Sequence, residues 1–170
     1  MITYKYTKLN GIFTMNAWKQ GKFKVTDESK YKGNHQKVFY RSGLEKRWMN
    51  FLDRCPLITE WSSETVVVPY LSQVDGKLHR YFIDNYIKLI DGREFLIEIK
   101  PKKFCSPPRK NSKNFLTESI EFKRNQSKWT YARKFSDDNN MRFIVITDST
   151  INSQFSDEKI LKNIRSLLRF

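Results

Sequence analysis

Between His79 and Pro101 the chain carries two strand-like runs separated by Asp91-Gly92. The first opens with His79-Arg80-Tyr81-Phe82-Ile83-Asp84 and continues to about residue 89; the second is Phe95-Leu96-Ile97-Glu98-Ile99-Lys100. Strand side chains alternate faces, so Glu98 and Lys100 project to one side while Ile97 and Ile99 point into a core behind them. Whether Asp84 joins them depends on the turn, because directly opposed residues of an antiparallel hairpin share a face. A two-residue loop, Asp91-Gly92 closed by Ile90 and Arg93, sends Asp84 to the wrong side. A three-residue loop, Ile90-Asp91-Gly92 closed by Leu89 against Arg93 with Gly92 left-handed as a bulge, brings Asp84 opposite Glu98. It also sets Phe82 opposite Lys100 and Lys88 opposite Glu94 as a cross-strand charge pair. The second geometry is expected: two acids and a lysine on one face, a candidate divalent-metal site.

The surrounding pattern is that of an α/β domain. Leu44, Trp48, Phe51, Leu52 and Cys55 recur every three or four residues before Pro56, predicting a helix over 42–55. Thr65 to Tyr70 is a β-prone run that, with strands over 78–89 and 94–100, predicts a meander. A second helix is expected over about 117–136, with Ile120, Trp129, Ala132 and Phe135 inward. Met141 to Thr147 then reads as a buried strand, parallel to a neighbour because a helical crossover precedes it. Ser156 caps a last helix with Ile160, Leu161, Ile164, Leu167 and Leu168 on one face. Residues 1–37 show no sustained periodicity and are expected to be an extended basic arm, with one domain over 38–170.

Charge narrows the partner. The 32 basic against 18 acidic residues give +14, which favours polyanions, nucleic acid first among them. The excess is concentrated: 1–37 holds eight lysines against Asp27 and Glu28, and 102–113 holds Lys102, Lys103, Arg109, Lys110 and Lys113 with no acid. These are the candidate phosphate contacts. No apolar run approaches membrane-spanning length and the first ten residues are too polar for a secretory signal, so an intracellular protein is expected. Cys55 and Cys105 lack metal-type spacing and read as free thiols.

Helix, meander carrying Asp then Glu-x-Lys, helix, strand is an order that resembles the PD-(D/E)XK nuclease core. More narrowly, Tyr40-Arg41-Ser42, Trp61-Ser62-Ser63-Glu64-Thr65, Arg80-Tyr81-Phe82-Ile83-Asp84 and Phe95-Leu96-Ile97-Glu98-Ile99-Lys100-Pro101-Lys102-Lys103 resemble the head-completion nucleases of T-even-type tailed phages. The nuclease domain of transposon-end endonucleases is similar in outline. The resemblance spans about Lys30 to Asp148, and it departs from the generic signature in having Ile83 rather than proline before Asp84. It implies a mixed central sheet flanked by helices and a Mg2+-dependent DNA endonuclease, with Mn2+ able to substitute. It further implies work on packaged DNA at the end of phage head assembly, head or neck proteins as partners, and a place in the host cytoplasm and virion. The rival reading is a non-catalytic structural DNA-binding or head-joining protein that keeps the nuclease fold.

On this reading Asp84, Glu98 and the Ile99 carbonyl hold Mg2+, a hard cation that takes oxygen ligands and leaves room for water and phosphate. Lys100 orients the attacking water or stabilises developing negative charge. Glu45 has two competing explanations. Ser42-Gly43-Leu44-Glu45 is a capping box in which Glu45 bonds back to the Ser42 N–H, whereas the resemblance implies that a glutamate on this helix leans towards the metal and belongs to the catalytic set. Glu64 reads as a surface charge, His79 as a phosphate or structural contact, His35 as solvated, Trp129 as core and Lys128 as a DNA contact.

Overall fold

The Asp91-Gly92 turn closes with three residues. In the computed structural model, which describes residues 20–152 and 155–168 and only the backbone over 166–168, Gly92 has φ +85°. Its N–H donates to the Leu89 carbonyl (2.9 Å), and the Leu89 N–H donates to the Arg93 carbonyl (2.9 Å). A residue with a Cβ would be strained at that φ, which is why glycine serves here.

In chain order the elements are β1 (Gly21–Lys22), β2 (Phe39–Tyr40), α1 (Gly43–Arg54), β3 (Ile58–Ser63), β4 (Val67–Leu71), β5 (Leu78–Phe82), β6 (Asn85–Leu89), β7 (Glu94–Ile99), α2 (Phe115–Asp138), β8 (Arg142–Ile146) and α3 (Asp157–Leu168). The main sheet has the order β3-β6-β7-β8. Lys88 faces Glu94 and Asn85 faces Ile97, and the Lys88 ammonium lies 3.5 Å from the Glu94 carboxylate. As the helical crossover requires, β8 runs parallel to β7. Two short antiparallel ribbons, β1-β2 and β4-β5, flank the sheet.

Each face of the sheet has its own core. Phe95, Ile97 and Ile99 pack with Trp48, Leu52, Trp61, Ile87, Ile160 and Ile164 on the α1 and α3 side. Leu96 packs with Val68, Tyr81, Ile83, Trp129 and Ala132 on the α2 side. Glu98, two residues from Leu96, therefore faces α2, and it is only 4% exposed. α1 forms where the helical pattern predicts, with Ser42 as N-cap, and Ser156 caps α3 by accepting from the Lys159 N–H (3.2 Å). Leu167 and Leu168 carry side chains outside the described set.

Several expectations are corrected. Residues 1–19 of the expected arm lie outside the described residues, but from Phe23 the chain is core rather than tail. Phe23, Val25, Tyr31 and Val38 are buried with α1, and the Thr26 N–H and hydroxyl both donate to the buried Asp53 carboxylate. Lysine-rich composition masks these isolated apolar anchors. Ile120 is exposed, because the first turns of α2 run past the edge of the core that Trp129 and Ala132 enter. The strand next to β6 is β3, which the sequence pattern does not predict. Its register shifts between Ile58 and Glu60, so Ile58 and Trp61, three apart, both enter one core and the alternation of a strand is lost. The run expected at 65–70 joins β5 in the ribbon instead.

The run 78–89 is two strands, not one. Ser63 opposes Asn85, but Val67 opposes Phe82, so one side of the break is a residue longer than the other. The excess sits at Glu64, whose φ of +54° is left-handed backbone that a glutamate adopts only when its surroundings impose it. The Glu64 N–H donates to the Asp84 carbonyl (3.2 Å) and the Ile83 N–H to the Val66 carbonyl (3.0 Å). Alternation inverts across this bulge: Ile87 and Leu89 point to the α1 side, Tyr81 and Ile83 to the α2 side. Phe82, expected opposite Lys100, pairs with Val67 and is exposed.

Candidate active site

The inversion at Asp84 builds the site. In the β6–β7 ladder the Leu89–Arg93 pair is hydrogen-bonded, and every second pair after it should be, which would bring Ile83 against Ile99. The bulge takes the Ile83 N–H away to Val66. In place of the Ile83 carbonyl, Oδ2 of Asp84 accepts from the Ile99 N–H at 2.7 Å. The Asp84 side chain thus continues the ladder where the backbone leaves it, and the Ile99 carbonyl loses the Ile83 N–H that regular pairing would have given it.

Glu98 is held from two sides. The Tyr81 hydroxyl, itself 3% exposed, donates to Oε2 at 2.6 Å, and the Lys100 ammonium lies 3.6 Å from Oε1. Lys128, reaching from α2, sits over the Tyr81 ring with its nitrogen 5.2 Å from the ring centre. Tyr81 lies within one of the motifs that carry the resemblance, but sequence reasoning assigns it no role. Strand alternation from Asp84 directs it away from the acids, and only the bulge turns it towards them.

The electrostatics follow from this crowding. Burial, then the neighbouring Glu98 carboxylate, push Asp84 well above the usual carboxylate range; the Ile99 N–H works the other way, and Glu45 adds further repulsion. Burial, with Glu98 and Asp84 nearby, raises the Tyr81 phenol too, so it stays protonated and is the donor to Glu98. Burial lowers Lys128, opposed by the attraction of Glu98 and Asp84 and reinforced by the repulsion of Lys100. Lys128, expected only as a DNA contact, therefore belongs to the electrostatics of the acid pair.

Glu45 is engaged at the start of α1. Its Oε2 accepts from the Arg41 N–H (2.7 Å) and its Oε1 from the Ser42 hydroxyl (2.9 Å), while its own N–H donates to Ser42 Oγ (3.1 Å). The capping box forms with Arg41 in place of the expected Ser42 N–H. The carboxylate nonetheless lies close enough to Asp84 to repel it. Among the described residues no group of three or more His, Cys, Asp or Glu is placed to hold a metal ion; the oxygens available here are the neighbouring Asp84 and Glu98 carboxylates and the carbonyl of Ile99, the residue whose N–H Asp84 accepts. That chemistry suits a hard divalent ion such as Mg2+, which is bound by one or two carboxylates and completes its shell with water and phosphate.

The remaining candidates stand further out. Glu64 pairs with Arg41 (2.7 Å) at the surface. His79 stacks on Tyr70 and meets Asp75 at 2.9 Å, and His35 pairs with Glu28 at 3.4 Å. Lys102 and Lys103 begin a short 3-10 turn just past the strand that bears Glu98, with the Lys102 N–H donating to Asp148 (2.8 Å). Lys103, Arg109, Lys110 and Lys113 are exposed along the loop that follows. Cys55 and Cys105 are free thiols. No helix among the described residues is long and apolar enough to cross a membrane.

Two comparisons bear on this arrangement. A head completion nuclease of Enterobacteria phage T4 is 38% identical over 135 residues, covering 75% of this chain and 90% of the relative. The family model of the TnsA-like endonuclease N-terminal domain matches residues 55–148, the stretch that holds β3 to β8 with Asp84, Glu98 and Lys100. With a mixed sheet between helices, Glu98 on a central strand and Asp84 at the end of its neighbour, the chain belongs to the TnsA-like endonuclease family, of the PD-(D/E)XK type.

Proposed function

We propose that this chain is a metal-dependent DNA endonuclease that hydrolyses phosphodiester bonds during completion of a phage head, after DNA packaging. The observation that carries the reading is the pair of half-buried Asp84 and buried Glu98, two carboxylates forced together with Lys100 beside one of them and a backbone carbonyl released next to the other. Uncompensated, such a pair is costly, and a divalent cation is the natural counter-charge. The role in head completion rests on what the T4 relative is called.

Asp84, Glu98 and the Ile99 carbonyl are the groups that would hold Mg2+ or Mn2+. Glu45 would act as a third negative charge over the same spot, available as a ligand only if it releases the Arg41 N–H. The bound ion would neutralise phosphate charge and make a water nucleophilic at neutral pH. Lys100 orients that water or offsets negative charge on the phosphate oxygens. Tyr81 fixes the rotamer of Glu98, and Lys102, Lys103, Arg109, Lys110, Lys113 and Lys128 draw the DNA backbone towards the acids. DNA is the substrate, and head or neck proteins are the partners at the site of action.

The test is cleavage of supercoiled and linear duplex DNA with Mg2+ or Mn2+, with an EDTA control and Lys100→Ala alongside. Metal-dependent nicking that falls roughly 100- to 1,000-fold in the variant is the expected result. Absence of cleavage by the wild type under all these conditions, with DNA still bound, overturns it in favour of a structural DNA-binding protein.

A further inference from the structure

Just past the strand that bears Glu98 the chain forms a concavity of different chemistry. The loop after β7 folds back against the first half of α2 and encloses a groove of about 580 Å³. Lys102, Lys103 and Arg109 give it positive charge, Phe104 and Phe122 supply aromatic surface, and Glu118 is the acid among its lining residues. Pro107 and Pro108 stiffen the outer wall. The groove starts two residues beyond Lys100. Along α2, Phe122 precedes Lys128 by six residues, about 9 Å at 1.5 Å per residue.

We propose that this groove binds a short unpaired stretch of the DNA strand that enters the active site, so that the enzyme acts on DNA with a single-stranded end or flap. The proposal rests on the nuclease reading above and names the form of its substrate. Exposed cations alone would serve duplex and single strand alike, since both present phosphates. Two phenylalanines among them distinguish the two forms: duplex bases are stacked on each other and offer no free face, whereas unpaired bases stack on aromatic rings whatever their sequence. A groove of this volume holds small ligands rather than the side of a double helix.

The experiment is fluorescence anisotropy with a short labelled single strand and with the duplex made from it, every protein carrying Lys100→Ala so that the probe stays intact. Phe122→Ala should weaken single-strand binding roughly 5- to 150-fold while leaving duplex binding within about twofold. Because Phe122 is half-buried, Glu118→Gln provides a test that leaves the packing alone: it should tighten single-strand binding in low salt more than in high salt. Equal losses for both DNA forms on Phe122→Ala, or no tightening on Glu118→Gln, would overturn the proposal. Cleavage assays on the wild type separate the two readings. Robust nicking of blunt duplex with no gain on flapped DNA removes the groove's role while the nuclease stands; no cleavage of either form removes the nuclease reading first.

Discussion

At the closed end of the β6–β7 hairpin Leu89 faces Arg93 and Lys88 faces Glu94, with every side chain on the side that alternation dictates. At the open end the ladder stops after Asn85 and Ile97, and a side-chain carboxylate takes over the next backbone bond. One end obeys local rules and is stable for that reason. The other breaks them through a left-handed glutamate, an inverted alternation and two acids crowded side by side, one buried and one half-buried, which costs stability. Backbone irregularities of this kind cluster at functional sites because chemistry needs groups that a regular sheet would not bring together. Changes at the open end should therefore cost activity, and changes at the closed end should cost stability alone.

The sharpest way to break that contrast is Asp84→Asn. Activity should fall at least ~100-fold, because a neutral amide neither balances a cation nor replaces the lost charge. Stability should move the other way. In EDTA the folded protein holds the Asp84 proton well above the ordinary aspartate value of 3.8, so between those two points the folded state binds more protons than the unfolded chain. Stability must then decline as pH rises from about 4, and remain lower once Asp84 has ionised. Thermal melts across pH in EDTA should show this slope in the wild type and a flatter one in Asp84→Asn. Added Mg2+ should raise the wild-type melting temperature and barely move the variant's. Identical pH profiles for the two proteins would mean that Asp84 is not under this strain.

Tyr81→Phe sharpens the comparison by removing one hydroxyl while keeping the ring beneath Lys128. Partners that orient a ligand typically matter 10- to 100-fold, so a loss of about that size in activity is expected, together with a higher Mg2+ requirement. Calorimetric titration of Mg2+ in the absence of DNA gives a readout that a purely structural tyrosine would leave unchanged. Unaltered Mg2+ affinity would reduce Tyr81 to a packing residue.

What is legible in the amino-acid sequence divides along the same line. Gly92, the Lys88–Glu94 pair and the shared face of Glu98 and Lys100 follow from period-two alternation and the chemistry of one turn, and all are present in the fold. Extending that register places Asp84 beside Glu98, and it arrives there, though as an in-plane acceptor after the strand has ended. Tyr81 is not legible because its orientation depends on a slip whose cause, Glu64, sits outside its own strand. β3 escapes for the same reason: its bulge puts Ile58 and Trp61 in one core at a spacing that resembles neither helix nor strand. Non-local irregularity leaves no periodic trace in the chain that undergoes it.

The smallest effect tests the backbone difference itself. Gly92 (φ +85°) and Glu64 (φ +54°) both have left-handed backbone, one on a residue free to adopt it and one on a residue that is not. A methyl group added at Gly92 would meet only open space, so Gly92→Ala should cost about 1 kcal/mol through conformation alone, with activity intact. At Glu64, both Glu64→Ala and Glu64→Gly remove the exposed pair with Arg41, and that common loss cancels when the two variants are compared. The glycine variant relieves the strained φ but gives the unfolded chain more freedom, opposing effects of about 1–2 and 0.4–1 kcal/mol. Glu64→Gly should therefore be the more stable of the two by about 1 kcal/mol in urea unfolding, the reverse of the order at an ordinary strand position, where alanine outperforms glycine. Should alanine prove the more stable at both positions, the bulge at Glu64 would carry no conformational strain, and the break in the ladder would have to be traced to the crowded acids alone.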